Sequence, residues 1–136
     1  MNNPLLGLDI GFTRTGVALS ESGMIAHPLG VLEAKPPHMG NVIDAVMQYI
    51  EEYSIQTIVV GIPYTQEDET TTQALRVEQV INQLQTTLRH NNLHPDIVTI
   101  NEFHSTADAR ALYPDLDDNE AAATLILQDY IDSNPT

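Results

Sequence analysis

Apolar stretches near the start of the chain predict three antiparallel strands. Leu5–Asp9, Gly16–Leu19 and Ile25–Leu32 are short and mainly apolar, and brief polar joins separate them. Joins of this length favour hairpin connections between neighbouring strands. The sequence Lys35-Pro36-Pro37 then ends the pattern, because proline interrupts both helices and strand pairing.

Beyond the prolines, helical spacing alternates with continuous apolar runs, which predicts alternating helices and strands. The predicted elements are a helix over Val42–Tyr53, a strand over Thr57–Val60, a helix through Val77–Leu88, a strand over Ile97–Ile100, a short helix over Ser105–Tyr113 and a last helix after Asp117. Thr70 with Gln73, and Asp117 with Glu120, resemble capping boxes. Ala122, Leu125, Ile126 and Tyr130 are expected on the buried face of the last helix.

The order of these elements predicts one α/β domain over residues 1–136. Three antiparallel strands followed by strand–helix units form a mixed five-stranded sheet with helices on both faces. The length is ordinary for a single domain with its own core.

Acidic residues dominate the charge of the chain. Nineteen Asp and Glu against five Lys and Arg give a formal net charge of −14. Like charges repel over about 8 Å at physiological salt, so nucleic acid is disfavoured as a partner unless a basic patch or a divalent metal compensates. A high-salt cytoplasm is another origin of the same composition. The chain has no cysteine, so disulfides and thiolate metal sites are excluded. It has no apolar stretch near the ~20 residues of a membrane span, so we expect a cytoplasmic protein without membrane contact.

The segment from Leu5 to Leu19 holds the first candidate for chemistry. An apolar strand runs into Asp9, and Gly11 and Gly16 bracket the polar turn that follows. A desolvated carboxylate requires a partner or a metal ion. Glycines beside it allow a backbone or a phosphate to approach closely. The segment therefore predicts a hairpin that presents one acid to a phosphate or a divalent ion, with an ordinary turn aspartate as the alternative.

Two further groups of acids follow predicted strand or helix boundaries. Glu102 comes after the fifth strand, and the turn Asp117-Asp118-Asn119-Glu120 opens the last helix. Carboxylate oxygens are ligands that Mg²⁺ or Mn²⁺ prefers, and two such ions support phosphodiester hydrolysis. Helix capping explains the acids of the turn equally well. A structural ion pair of Glu102 with Arg110 or Arg14 is a further alternative, and His104 is expected to be a surface or core residue.

Four segments, in order, resemble the RuvX/YqgF family, whose members have an RNase H-like fold and are described as Holliday junction resolvases and pre-16S rRNA nucleases. The segments are Leu8-Asp9-Ile10-Gly11-Phe12-Thr13-Arg14-Thr15-Gly16-Val17-Ala18, Val59-Val60-Gly61-Ile62-Pro63, Asn101-Glu102-Phe103-His104-Ser105-Thr106-Ala107-Asp108-Ala109-Arg110 and Asn119-Glu120-Ala121-Ala122-Ala123-Thr124-Leu125-Ile126-Leu127-Gln128. They cover nearly the whole chain, and the predicted order of elements agrees with the family fold.

The resemblance implies a site of three acids. Asp9 and Glu102 match the first two, and Asn119 stands where the family has an aspartate, with Asp118 one residue earlier. It thus implies Asp9, Glu102, Asn119 and Asp118 as catalytic positions, with Asp9, Glu102 and Asp118 holding Mg²⁺ or Mn²⁺. The implied nucleic-acid contacts are Arg14, Arg110, Ser105 and Thr106.

Several positions depart from the family pattern, and they bear on both the metal and the phosphate contacts. Asn119 and Asn101 replace acids, Phe103 replaces an arginine, and Thr13 stands where a basic residue is usual. A helix position shifted by one points about 100° away, so Asp118 replaces the missing acid only if the helix start is altered.

Two functions follow from these observations. The first is a metal-dependent nuclease that hydrolyses phosphodiesters in structured RNA or branched DNA, with a homodimer as one possible assembly. The second is an inactive relative that kept the fold as a structural or protein-interaction module. The hairpin also resembles the phosphate-binding hairpin of actin-like ATPases, but those proteins use two lobes and this chain provides one.

Overall fold

The computed structural model describes residues 3–34, 38–63, 72–101 and 106–133. Within these ranges the strands and helices follow the predicted order. They are β1 Leu5–Ile10, β2 Arg14–Ser20, β3 His27–Glu33, α1 Gly40–Tyr53, β4 Thr57–Ile62, α2 Thr72–His90, β5 Asp96–Asn101, α3 Thr106–Leu112 and α4 Asp118–Ser133. None of the helices in these ranges combines the length and the apolar character needed to cross a membrane.

The five strands form one mixed sheet in the order β3-β2-β1-β4-β5. The β1–β2 and β2–β3 pairs are antiparallel, and the β1–β4 and β4–β5 pairs are parallel. All six residues of β4 are buried. This explains why Thr57–Val60 is a continuous apolar run, because a central strand covered on both faces has no polar alternation. The predicted mixed five-stranded sheet is confirmed.

The two faces of β1 contact different helices. Leu6, Leu8 and Ile10 belong to the large apolar cluster that also contains the buried residues of α1 and α2. Leu5 belongs to a second cluster with Ile126 and Leu127 of α4. Because side chains alternate along a strand, Asp9 lies on the α4 face with Leu5. The prediction of helices on both faces is confirmed, and it places Asp9 under α4.

The last helix is buried more widely than the sequence pattern predicts. Its buried residues are Ala121, Ala123, Thr124, Leu125, Ile126 and Leu127. The sheet covers one side, and α3 covers another through the cluster of Ala109, Ala121 and Leu125. Ala122, predicted to be buried, is only partly so. The prediction for this residue was wrong because a helix between two layers has two buried faces, which a single amphipathic stripe does not describe.

One predicted strand boundary also differs from the structure. β3 begins at His27 rather than Ile25, and the Ile25 side chain is 58% exposed. The predicted cap Thr70 lies outside the described residues. The side-chain amide of its proposed partner Gln73 donates from Nε2 to the carbonyl oxygen of Ile10 at 2.6 Å, which ties the first turn of α2 to the end of β1.

Candidate active site at the end of β1

The structure brings Asn119 to Asp9. The Nδ2 atom of Asn119, in the first turn of α4, donates a hydrogen bond to Oδ2 of Asp9 at 2.9 Å, and both residues are partly buried. These side chains are 110 positions apart in the chain. The position where the resemblance leads one to expect a third acid therefore lies directly against the first acid, and it carries an amide.

Two glycines of the hairpin make this contact possible. Gly16 is the strand partner of Asp9, and a Cβ atom at Gly16 would lie 1.9 Å from the carbonyl oxygen of Asn119. A Cβ atom at Gly11 would lie 2.7 Å from Nδ2 of Asn119. Both distances are far below van der Waals contact. The predicted close approach of a backbone is thus provided by α4, whose first turn packs directly on the hairpin.

Asp117 fixes the start of α4 in two ways. Its Oδ1 accepts hydrogen bonds from the backbone N–H groups of Asn119 at 2.8 Å and Glu120 at 3.4 Å, so the predicted helix cap is confirmed. Its Oδ2 accepts from the Arg14 guanidinium at 2.5 Å. Arg14 begins β2, so this ion pair joins the helix cap to the hairpin. Arg14, the residue implied as a phosphate contact, is held by a carboxylate at the edge of the candidate site.

Asp118 is paired with Arg110 of α3. The guanidinium donates from Nε at 2.9 Å and from Nη2 at 2.8 Å to the two carboxylate oxygens. This hydrogen bond lowers the pKa of Asp118, which is exposed. The structure thus joins Asp118 to α3, whereas Asn119 is the residue of the α4 start that reaches Asp9. The side chains of both residues are largely exposed to solvent.

The remaining implied site residues lie outside the described part of the chain. These are Glu102, Ser105 and the side chain of Thr106, together with His104. The described neighbour Asn101 ends β5, and Ile100 is level with Gly61, the β4 residue beside the end of β1. Two strand spacings put the end of β5 about 10 Å across the sheet from the end of β1. Topology alone therefore brings the two strand ends to the same edge.

Burial raises the pKa of Asp9 to about 6, and this effect outweighs the Asn119 hydrogen bond, which lowers it. The neighbouring Asp117 raises it further. Arg14, at the start of β2, is bound to Asp117. The ionised Asp9 carboxylate is therefore only partly compensated by its protein surroundings, and a nearby cation would favour that ionised form.

The chemistry of the available donors fits a hard divalent cation. Asp9 offers carboxylate oxygens and Asn119 an amide oxygen, both of which suit Mg²⁺ or Mn²⁺. Among the described residues no group of three or more His, Cys, Asp or Glu is arranged to hold a metal ion. The described part of the site thus supplies one charged and one neutral oxygen ligand.

Solved structures with the same architecture belong to RNase H-like resolvases. The Thermus thermophilus RuvC structure in complex with a Holliday junction substrate superimposes with a TM-score of 0.67, at 12% identity, over 97% of this chain and 95% of that one. The yeast mitochondrial Holliday junction resolvase Ydc2 gives a TM-score of 0.53, at 10% identity, over 96% and 79%. At these identities the likeness shows the fold alone, which is the RNase H-like α/β fold of these resolvases.

The sequence matches define the family within that class. The family model described as RuvX, Holliday junction resolvase, matches residues 3–133, so the chain belongs to this family. A protein of Roseiflexus sp. (strain RS-1) named "Putative pre-16S rRNA nuclease" is 30% identical over 95% of this chain and 94% of its own length. One with the same name from Desulforudis audaxviator is 32% identical over the same shares. The predicted resemblance is confirmed, and the matches support the prediction of a nuclease.

Two features of the site were not predicted from the sequence. One is the pairing of Asp117 with Arg14, because these two residues are 103 positions apart in the chain. The other is the packing of the α4 backbone against Gly16. The glycine pattern was a signal for close approach, but it did not indicate which group approaches.

Proposed function

We propose that the protein is a divalent-metal-dependent nuclease that hydrolyses phosphodiester bonds in structured RNA or branched DNA, with Asp9 as its central carboxylate. The single observation that carries this proposal is the environment of Asp9. It is a partly buried carboxylate with a raised pKa, held by one amide hydrogen bond at the end of a central strand. Perturbed carboxylates at strand ends are typical of functional sites. Family membership supplies the reaction class.

The residues of the proposed site have separate roles. Asp9, with Glu102 and the amide oxygen of Asn119, would hold Mg²⁺ or Mn²⁺, and the ion would supply polarisation of the scissile phosphate and a lowered pKa of bound water. Asn119 orients the Asp9 carboxylate through its Nδ2 hydrogen bond. Asp117 keeps the first turn of α4 against the hairpin, and so acts as a positioning residue.

Phosphate contacts in this scheme come from Arg14 and Arg110, with Ser105 and Thr106. Both arginines form ion pairs with aspartates at the start of α4, and their side chains are 51% and 64% exposed. Exposed ion pairs contribute little to stability, so exchanging a carboxylate for a substrate phosphate costs little. The arginines are thus available to a phosphate despite the net charge of −14.

Cleavage of defined substrates tests this function. We expect the wild-type protein with Mn²⁺ or Mg²⁺ to cleave a precursor rRNA fragment or a branched DNA, and Asp9→Asn to lose at least about 100-fold in rate. Asp44→Asn, on the surface of α1, is the matched control and keeps the wild-type rate. Equal rates for wild type and Asp9→Asn would contradict the proposal. They would favour the second predicted function, a structural or protein-interaction module.

Replacing the amide by an acid tests the part played by Asn119. In Asn119→Asp two carboxylates lie at hydrogen-bond distance, and like charges this close raise the pKa of one of them. At about pH 8 with a chelator we expect the variant to lose at least ~1.4 kcal/mol of unfolding free energy, one pKa unit of repulsion. Adding Mg²⁺ or Mn²⁺ should reverse this loss and stabilise the variant more than wild type.

Asn119→Ala is the control for that comparison, since it removes the hydrogen bond without adding charge. Thermal unfolding with and without metal gives the loss of unfolding free energy in chelator and its reversal by the metal. If the thermal midpoint of Asn119→Asp lay below that of wild type by the same amount in chelator and in metal, position 119 would not be at a metal site.

A further inference from the structure

An exposed aromatic side chain lies on the turn that follows Asp9. Phe12 connects β1 to β2, and its side chain is 56% exposed. It belongs to none of the apolar clusters formed by the described residues. The turn itself does not require an aromatic residue, because hairpin turns favour glycine, asparagine and aspartate. The ring therefore contributes little to the core while it faces solvent beside the candidate site.

A guanidinium supports one face of this ring. The Cζ atom of Arg76, in α2, lies 4.4 Å from the ring centroid of Phe12, which is a cation–π contact. Gln73, three residues earlier on the same face of α2, donates to the carbonyl oxygen of Ile10. Two contacts thus hold the start of α2 against the hairpin. The ring is fixed in place, and much of its surface remains open.

Two of the five Lys and Arg residues of the chain lie at or beside this turn. Arg14 begins β2 and pairs with Asp117, and Arg76 lies over the Phe12 ring. An aromatic ring with a cationic group beside it is a combination that binds single-stranded nucleic acid, because the ring stacks on a base while the cation attracts phosphates. Stacking needs no particular base, since every base has a π-face.

The distance to Asp9 suits a base close to the reacting phosphate. Phe12 follows Asp9 by three residues, so their Cα atoms are at most about 11 Å apart. Successive stacked nucleotides are separated by about 3.4 Å. An unpaired base within about three nucleotides of a phosphate at Asp9 therefore reaches the ring.

We propose that Phe12, supported by Arg76, is a nucleobase-stacking site that holds an unpaired base beside the phosphodiester at Asp9. This inference rests on the proposed function for its ligand class. It adds a substrate requirement, because fully paired duplex has no base free to stack. The preferred substrate is a loop, a junction or a flap with at least one unpaired base close to the cleaved bond.

A single-tryptophan variant tests this site directly. The chain contains no tryptophan, so Phe12→Trp introduces one fluorophore and keeps an aromatic ring on Arg76. The probes are an RNA and a DNA stem-loop of the same sequence, each also prepared with one abasic position at a time. We expect the stem-loop at saturation to quench the fluorescence of the introduced tryptophan. This quenching should disappear when one unpaired position of the loop is abasic. Comparison of binding to the RNA and the DNA stem-loop shows which of the two nucleic acids is preferred.

The matched control is Met24→Trp, whose side chain is 72% exposed. Met24 lies beside Gln128, nine residues or about 13 Å along α4 from Asn119. No base-dependent quenching is expected there. In the otherwise wild-type protein, Phe12→Leu should bind the stem-loop roughly 5- to 150-fold more weakly, the range found for loss of one stacked base. It should bind the abasic stem-loop as wild type does.

Asp9→Asn combined with Phe12→Trp separates this inference from the proposed function. Quenching that persists in the double variant, where cleavage is lost, supports the stacking site independently of catalysis. Equal quenching by intact and abasic probes would overturn the stacking site. So would wild-type binding by a Phe12→Leu protein, whether or not its thermal midpoint falls. In either case wild-type cleavage would leave the nuclease function standing.

Discussion

Gly16→Ala is expected to dislodge the start of α4 and to inactivate the site. The added Cβ atom would lie 1.9 Å from the carbonyl oxygen and 2.2 Å from the carbonyl carbon of Asn119, both of which are backbone atoms. The helix must therefore move by about 1 Å or more, since van der Waals contact between such atoms begins at about 3.5 Å. Overpacking of this kind costs about 1–3 kcal/mol of unfolding free energy and occasionally more.

The same movement separates Asn119 from Asp9, whose hydrogen bond is 2.9 Å long. A misplacement of 1 Å in a catalytic group costs roughly 100-fold in rate. Thermal unfolding and the cleavage rate are the two measurements. Gly30→Ala is the matched control, because Gly30 is also in a strand and a Cβ atom there meets nothing within 4 Å. If Gly16→Ala matched Gly30→Ala in both measurements, the packing of α4 on the hairpin would be refuted.

Asp9→Asn is expected to stabilise the protein at neutral pH. Burial raises the pKa of Asp9 from 3.8 to about 6, so between these values the folded state binds a proton that the unfolded state has released. The unfolding free energy therefore falls as the pH rises through this window and stays low above it. A shift of about two pKa units corresponds to about 3 kcal/mol. Asparagine carries no charge, so its burial does not have this desolvation cost.

We expect the thermal midpoint of Asp9→Asn to exceed that of wild type at about pH 8 by up to roughly 10 °C, and to converge with it near pH 4. Thermal unfolding in chelator across this range gives the difference curve. Asp118→Asn is the control with the opposite sign, because the Arg110 hydrogen bond lowers the pKa of Asp118. That variant should be no more stable than wild type at about pH 8. A difference for Asp9→Asn that is independent of pH would contradict the raised pKa.

Local hydrophobic spacing was sufficient to predict the order of elements. In α2, for example, Val77, Ile81, Leu84 and Leu88 were predicted to be buried and are buried. This succeeds because the period of apolar residues reflects which face is covered. It fails in α4, which is covered on two sides, so that Ala121 and Thr124 are buried as well while Ala122 is only partly buried. It also fails at Ile25, an apolar residue that lies on the surface before β3.

The residue pattern alone indicated Asp9, but the pairing of Asp9 with position 119 was predictable only through the family resemblance. Asp9 and Asn119 are brought together by the docking of α4 on β1 and β2, and no local pattern encodes that docking. The pairing of Arg14 with Asp117 depends on the same docking, since each residue alone has the pattern of a solvated surface charge. Gly16 gave a signal for close approach but not for its partner, because a missing side chain has no chemistry of its own.

The central claim is that Asp9 and Asn119 form a divalent-metal site, and calorimetric titration of the protein with Mn²⁺ tests it most directly, because it requires no knowledge of the substrate. We predict saturable binding by wild type, loss of that binding in Asp9→Asn, and tighter binding by Asn119→Asp. The added carboxylate supplies the charge that the amide lacks. Binding at saturation should also raise the unfolding free energy of wild type, by about 2.7 kcal/mol at 100 times the dissociation constant. Identical titrations for wild type, Asp9→Asn and Asn119→Asp would contradict the account.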